Sequence, residues 1–108
     1  MTPSPGEIWL AEIPFTDGSA SKIRPVLVLW LDSADAVVAA VTSAPPRSAT
    51  DVILEDWQLA GLRVASTARL SRLDCLEQIL LRRKLGSLSS GDARRIKEVW
   101  ASRIQLRF

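Results

Sequence analysis

The chain has no histidine and no tyrosine, one cysteine, one methionine and two phenylalanines among its 108 residues. The missing histidine is the most restrictive of these, because it removes the side chain that most often shuttles protons near neutral pH. With Cys75 as the only cysteine, an internal disulfide cannot form and a zinc site of nitrogen and sulfur ligands is excluded. Cys75 is expected to be a buried bystander, free thiols being among the most buried side chains. No acidic cluster has the pattern of a magnesium cage, so neither metal nor cofactor is expected. Any catalysis must then be carried by arginine, lysine, carboxylates and hydroxyls. Long apolar runs are lacking too: the longest, residues 26–31 and 36–41, are far too short to span a bilayer. No basic-then-apolar start marks a secretion signal. A cytoplasmic protein without a membrane partner is expected.

What is present is unevenly distributed. Apolar residues make up 47% of the chain and charged ones 24%, the balance of a folded domain rather than a disordered segment. The formal charge is +2, but residues 1–62 carry three cations (Lys22, Arg24 and Arg47) against eight acids, a net −5. Residues 63–108 carry eleven cations against four acids, a net +7. Most of the second-half cations are arginines, whose planar fork suits phosphate, so a polyanionic partner is expected where net charge alone would not suggest one. A domain of this size buries about 60 to 70% of the surface its unfolded chain exposes, which leaves stability marginal. Pairing of two copies would ease that.

Residues 1–5 read as a loose leader to one domain over residues 6–108. Residues 6–13 read as a first strand, with Ile8 and Leu10 alternating with Glu7 and Trp9. Residues 14–23 form a polar loop around an Asp17-Gly18 turn signal, expected to be exposed and mobile. Arg24-Pro25 closes it, since the pyrrolidine ring fixes its own φ and holds the preceding residue extended. Residues 26–31 follow as an unbroken apolar run, the signature of a strand buried on both faces. Arg24 is thereby expected at a loop-to-strand junction, where a cation is held more rigidly than within a loop. Residues 32–35 turn the chain into a third strand, 36–43, and the breaker segment 44–50 ends it directly after Thr42 and Ser43. Then come a short strand at 51–55, a turn at 56–61 closed by Gly61, a strand at 65–70, a connection at 73–76 and a strand at 78–85. The Arg82-Arg83-Lys84 run in the last cannot all be buried.

Ser89-Ser90-Gly91-Asp92 opens a helix as a capping box does, with Asp92 where Glu is preferred. Ala93, Ile96, Trp100 and Ile104 recur at helical spacing beside Val99, a packing stripe, and Trp57 and Trp100 read as core. Five or six short strands followed by one helix give a mainly β fold with a C-terminal helix, a small, strongly bent antiparallel barrel.

The order of several short motifs resembles the MazF/PemK family of bacterial toxins. Gly6-Glu7-Ile8-Trp9-Leu10 leading to Pro14-Phe15-Thr16-Asp17-Gly18-Ser19 is similar to that family's opening strand and loop. Lys22-Ile23-Arg24-Pro25-Val26-Leu27-Val28-Leu29 is similar to its Arg-Pro strand, and Val41-Thr42-Ser43 to its hydroxyl pair. Looser matches run through 51–54, 57–62 and 84–88. The resemblance implies an SH3-like barrel of the MazF/CcdB type, a homodimer, and a toxin held in check by a cognate antitoxin. It implies a metal-independent endoribonuclease that cuts single-stranded RNA by attack of the 2′-hydroxyl and so inhibits translation and growth. By the same resemblance Arg24 and Thr42 or Ser43 are catalytic, while Asp17, Ser19, Lys22, Arg47 and Arg69 are expected to contact RNA.

Such a reaction suits a chain without histidine, because the substrate brings its own nucleophile and the protein need only align it and stabilise charge on the phosphoryl oxygens. Arg24 is assigned to that charge, with proton donation to the leaving 5′-oxygen. The group that takes the 2′ proton is unassigned, Asp17 and Glu12 being candidates by position. Two departures from the family pattern bear on RNA contacts: Ala44 stands where many relatives carry an amide, and Ile23 separates Lys22 from Arg24. The rival readings are a toxin of the same barrel that poisons DNA gyrase and a non-catalytic RNA-binding module.

Overall fold

A computed structural model describes residues 2–108; Met1, the first residue of the expected leader, lies outside them. Six strands and one helix follow in order: β1 (Glu7–Pro14), β2 (Ser21–Asp32), β3 (Asp35–Thr42), β4 (Asp51–Leu54), β5 (Ser66–Glu77), a 3-10 turn (Gln78–Leu80), β6 (Leu81–Ser87) and α1 (Ser90–Arg103). All strand pairs are antiparallel, in the order β4-β5-β3-β2-β1-β6. Mainly β with a C-terminal helix is the architecture expected from the sequence. The sheet does not close by hydrogen bonds, since β4 and β6 are its two edges.

Side-chain alternation explains why β2 reads as continuously apolar. Leu27 packs with Ile8, Ala39, Val41, Val52, Leu54, Ala68 and Leu70 against Ile96 of α1. Val26 and Val28 point the other way, into a second core with Trp9, Ala11, Ala36, Val38, Leu76 and Leu81. Both faces are therefore dry along the middle of the sheet, where polar residues have no place. Ile96, Val99, Trp100 and Ile104 of α1 meet the first core as the helical spacing predicted, and Trp57 packs there as well.

The two edges approach each other through glycines. A Cβ on Gly86 of β6 would lie 2.6 Å from the Ala60 carbonyl carbon, and one on Gly61 would meet the Leu85 carbonyl. The segment leaving β4 thus lies backbone-to-backbone on β6, which rolls the sheet toward a barrel without a closing ladder.

Irregularities account for the boundaries that periodicity misplaces. β5 continues through 73–76, where a connection was expected, because its partners on β3 step from Ala39↔Leu73 to Ala40↔Arg69. The unmatched residues 70–72 break the alternation that would have marked one long strand. In β2 Leu29 joins Leu27 in the helix-side core by alternation, and a shift between Val28 and Trp30 accompanies the turn of Trp30 edge-on against Trp100, ring centroids 6.0 Å apart. The last strand starts at Leu81, after a 3-10 turn, rather than at 78. Arg82, Arg83 and Lys84 are all exposed. Cys75 is exposed, not buried, since it lies on a stretch of β5 whose outward positions face solvent. In the leader, Pro3 is buried and the Ser4 backbone N–H donates to Glu7 Oε1 at 2.8 Å.

Ser89 caps α1, its Oγ accepting from the Asp92 N–H. The Asp92 carboxylate does not reach back to Ser89 as in a capping box. It is fully buried and accepts the backbone N–H groups of Glu55 and Asp56, each at 3.0 Å, together with Arg95. Asp92 therefore joins the helix to the end of β4.

Candidate active site

Arg24 lies inside β2, three residues past its start, and not at a loop-to-strand junction. The expected loop 14–23 shrinks to residues 15–20 because Ser21, Lys22, Ile23 and Arg24 pair with Pro14, Ile13, Glu12 and Ala11 of β1. The hairpin is pinned at its tip: Asp17 Oδ1 accepts from the Ser19 N–H at 2.9 Å and its hydroxyl at 2.7 Å, and Gly18 takes φ +73°. The Ser19 hydroxyl, with the Ser19 N–H behind it, holds the Asp17 carboxyl below the usual carboxylate range.

Pro25 sets what happens on the other side of β2. It has no N–H to donate, and the β2–β3 ladder ends with Val26↔Ala40. Continuing that register by two residues sets Arg24 across from Thr42. Thr42 itself pairs with Thr67 of β5, and Thr67 with Ile53 of β4. Ala11 and Arg24 thus form one paired row on β1 and β2, and Thr42, Thr67 and Ile53 another across β3, β5 and β4; the extended β2–β3 register sets the two rows level. Alternation gives these rows their face. Ala11 lies in the second core, and Arg24 shares its side with Val26 and Val28 of that core. Thr42 shares a side with Val38, whereas Ala39 and Val41 face the helix. Thr67 and Arg69 alternate with Ala68 and Leu70, which also face the helix. All four side chains therefore belong to the face opposite α1.

The structure does not bring every candidate to this row. Lys22 shares the face, lying two residues before Arg24 and opposite Ile13. Ile23 falls on the other side and is half exposed. Ser43 lies in a bend past the end of β3 and is exposed, while Thr42 is half-buried and its Oγ1 accepts the Ala44 N–H at 3.1 Å. Glu12 alternates away from Arg24 and pairs with Arg82 at 3.1 Å. Arg47 donates its backbone N–H to Asp51 Oδ2 at 2.8 Å, and Arg69 Nε lies 3.4 Å from Asp51 Oδ1. Among the described residues Arg24 and Lys22 pair with no carboxylate. Thr67 and Asp51 were not singled out from sequence. The alternation of Thr67 and Arg69 with Ala68 and Leu70 was the signal that would have found the first.

A cavity of about 450 Å³ lies elsewhere, between α1 and the sheet, with Gly6, Leu29, Trp30, Ile96, Lys97 and Trp100 in its wall. Among the described residues no three His, Cys, Asp or Glu side chains converge as metal ligands would. What the Arg24 row offers is an exposed guanidinium, without a carboxylate partner among the described residues, on the same sheet face as the half-buried Thr42 hydroxyl, the chemistry of a phosphate site.

The family model for the PemK-like, MazF-like toxin of type II toxin–antitoxin systems matches residues 4–102. The chain belongs to this toxin family. Solved structures of similar shape include an endoribonuclease from a mycobacterial species, 15% identical with a TM-score of 0.74, the alignment covering 100% of this chain and 96% of that one. They also include toxin MazF-mt6 of Mycobacterium tuberculosis, 22% identical over 94% of this chain and 99% of that one, TM-score 0.73. The MazE-MazF assembly of Deinococcus radiodurans is 21% identical, with 99% of both chains covered and a TM-score of 0.69. At these identities the likeness establishes that the toxin shares their fold. No curated protein matches it in sequence.

Proposed function

We propose that this toxin is a metal-independent endoribonuclease that cuts single-stranded RNA by transesterification, with Arg24 and Thr42 at the reacting phosphate. The 2′-hydroxyl gives its proton to solvent as its oxygen attacks phosphorus, the bond to the 5′-oxygen breaks and that oxygen takes up a proton from solvent, and the products are a 2′,3′-cyclic phosphate and a free 5′-hydroxyl. Arg24 neutralises charge gathering on the non-bridging oxygens and supplies a donor to the departing 5′-oxygen. Thr42 orients the phosphate through its hydroxyl, and Ser43, beyond the strand end, contacts the chain as it leaves. Lys22 and Arg69 hold neighbouring phosphates on the same face, with Arg47, Asp17 and Ser19 at its margins. What supports this reading is that Arg24, without a carboxylate partner among the described residues, falls level with Thr42 on one face when the β2–β3 register is extended two residues beyond Val26↔Ala40.

Neighbours solved as endoribonucleases, one of them in complex with its cognate antitoxin, support the activity and an antitoxin partner. Residues 6–108 act as one unit, in the cytoplasm, as a homodimer. The exposed Trp30 beside Trp100 supports pairing, because two copies joined there would cover apolar surface that one leaves wet. No helix among the described residues is long and apolar enough to cross a membrane.

The test is incubation of wild type and Arg24→Ala with RNA in excess chelator, followed by end mapping. Wild type should yield cyclic-phosphate and 5′-hydroxyl ends, and the variant should be about 100- to 1,000-fold slower, the effect of removing one preorganised donor. RNA that stays intact with wild type ends the nuclease reading; if the RNA is nonetheless bound, the binding-module reading takes its place.

A further inference from the structure

We propose that Asp51 is a positioning residue, which presents Arg69 to an RNA phosphate one step from the scissile one; this rests on the ribonuclease reading. Asp51 and Arg69 are directly paired across β4 and β5, and Ala40 of β3 completes their row. That row lies two residues along β5 from Thr67, about 6.7 Å at the rise of a strand, on the same face as Arg24 and Thr42. The spacing is of the order of one nucleotide of backbone.

The pair is built to fix direction. The Asp51 side chain is 1% exposed and that of Arg69 21%. One carboxylate oxygen accepts from Arg69 Nε and the other from the Arg47 backbone N–H, so both oxygens are used and the carboxylate cannot turn. Held at Nε, the guanidinium keeps its two terminal nitrogens, which among the described residues have no protein partner. Those nitrogens form the edge that takes a phosphate bidentately. Stabilisation of the fold is a poor account of the same pair, since exchanging a buried ion pair for apolar residues is often neutral or favourable. The Arg47 bond extends the effect to segment 44–50, the chain that departs from Thr42 and Ser43.

The proposal and plain electrostatics predict opposite signs. Asp51 adds a negative charge near a polyanion, so by charge alone Asp51→Asn tightens RNA binding. If Asp51 aims Arg69, the same variant weakens it. The probe is a mixed-sequence, single-stranded RNA with 2′-O-methyl ribose throughout, which cannot be cut by 2′ attack, bound to the full chain over a series of salt concentrations. Asp51→Asn and Arg69→Gln should each bind about five- to tenfold more weakly, and the slope of log K against log salt should shallow by about 0.7, one phosphate contact on a single strand. In the Arg69→Gln background Asp51→Asn should add no further loss. On cleavable RNA the loss should fall on KM with kcat little changed, as for a contact kept from ground state to transition state. Equal or tighter binding by Asp51→Asn, or independent losses in the double variant, overturns the proposal. If Asp51→Asn proves unfolded by circular dichroism, Arg69→Lys decides, because it keeps the charge and loses the Nε tie: retained affinity and slope overturn the proposal, and the Arg69→Gln loss supports it. Wild type that binds the probe but leaves ordinary RNA uncut overturns the ribonuclease reading alone. Wild type that binds no RNA overturns both.

Discussion

Removing the Asp92 carboxylate should unfold this protein more readily than removing any local feature of the helix that carries it. In Asp92→Ala the Ser89 cap survives, because the cap uses the backbone N–H of residue 92. What is lost are the two long-range bonds to the Glu55 and Asp56 N–H groups, 37 and 36 residues away in sequence, and one of the two carboxylate partners of Arg95, which keeps Glu55. Each of the two backbone hydrogen bonds to the charged carboxylate contributes about 1.5 to 3 kcal/mol. Taken as one clamp rather than summed, the loss is about 4 kcal/mol. In a domain near 100 residues, where each kcal/mol shifts Tm by about 4 to 8 °C, this lowers Tm by about 20 °C. Ser89→Ala, which removes only the cap, should cost about 1 kcal/mol and lower Tm by about 6 °C. Thermal unfolding followed by circular dichroism and by calorimetry measures both, and coincidence of the two probes licenses the comparison. Hydrogen exchange adds a local readout: the Glu55 and Asp56 amides should be protected in wild type and exchange freely in Asp92→Ala. A loss for Asp92→Ala no larger than for Ser89→Ala would refute the clamp.

Two further outcomes follow from contacts away from the site. Gly86→Ala brings a methyl to 2.6 Å from the Ala60 carbonyl carbon and 2.7 Å from its oxygen, both rigid backbone. It should cost about 1 to 3 kcal/mol in denaturant unfolding, and a change under about 0.5 kcal/mol would show that the two edges do not touch there. For Glu7, burial pushes the carboxyl up, but the Trp9 N–H, Lys84 and the Ser4 N–H outweigh it and hold the group below its usual 4.5. A depressed folded value means stabilisation that is present above the unfolded pKa and lost as pH falls through the folded one. Wild type should therefore exceed Glu7→Gln in stability at pH 7 and lose that advantage in the acid range below 4.5. A gap between the two that stays constant from neutral pH to pH 3 contradicts the assignment.

Legibility in this chain tracks how far each signal reaches along the sequence. The apolar run of β2, the cap of α1 and the stripe of Ile96, Trp100 and Ile104 are local patterns, and each marked its element. β5 was read as two pieces because residues 70–72 break its alternation, and only pairing with β3 shows that Arg69 and Leu73 belong to one strand. Asp92 looked like half of a capping box because nothing near it in sequence announces Glu55 and Asp56. Cys75 looked buried by residue type, while its environment is set by which stretch of β5 lies outward. Trp9 lies on the Ala11–Val26 side of the sheet, where the Glu7 carboxylate accepts its ring N–H, a contact that alternation alone does not announce.

The site divides along the same line. Arg24, Thr42 and Ser43 were nameable as residues, but the alignment of Arg24 with Thr42, and of Thr42 with Thr67, is a matter of register between residues 18 and 25 apart in sequence, which no local pattern encodes. Pro25 is where the two levels meet. Read locally, it ends a loop; in the fold it lies within β2 and pairs with Leu10, and its missing N–H coincides with the end of the β2–β3 ladder. Beyond that point Arg24 and Thr42 remain in neighbouring strands without backbone bonds tying one to the other. An N–H at position 25 would point toward the Val41 carbonyl and hold β2 and β3 at the ladder spacing of about 4.8 Å up to the level of Arg24 and Thr42. Proline at position 25 removes that bond while β1, on the other side, still holds Arg24 in register, so in the proposed reaction the same residue that stiffens the arginine also leaves the level at which it acts free of a β2–β3 backbone bond.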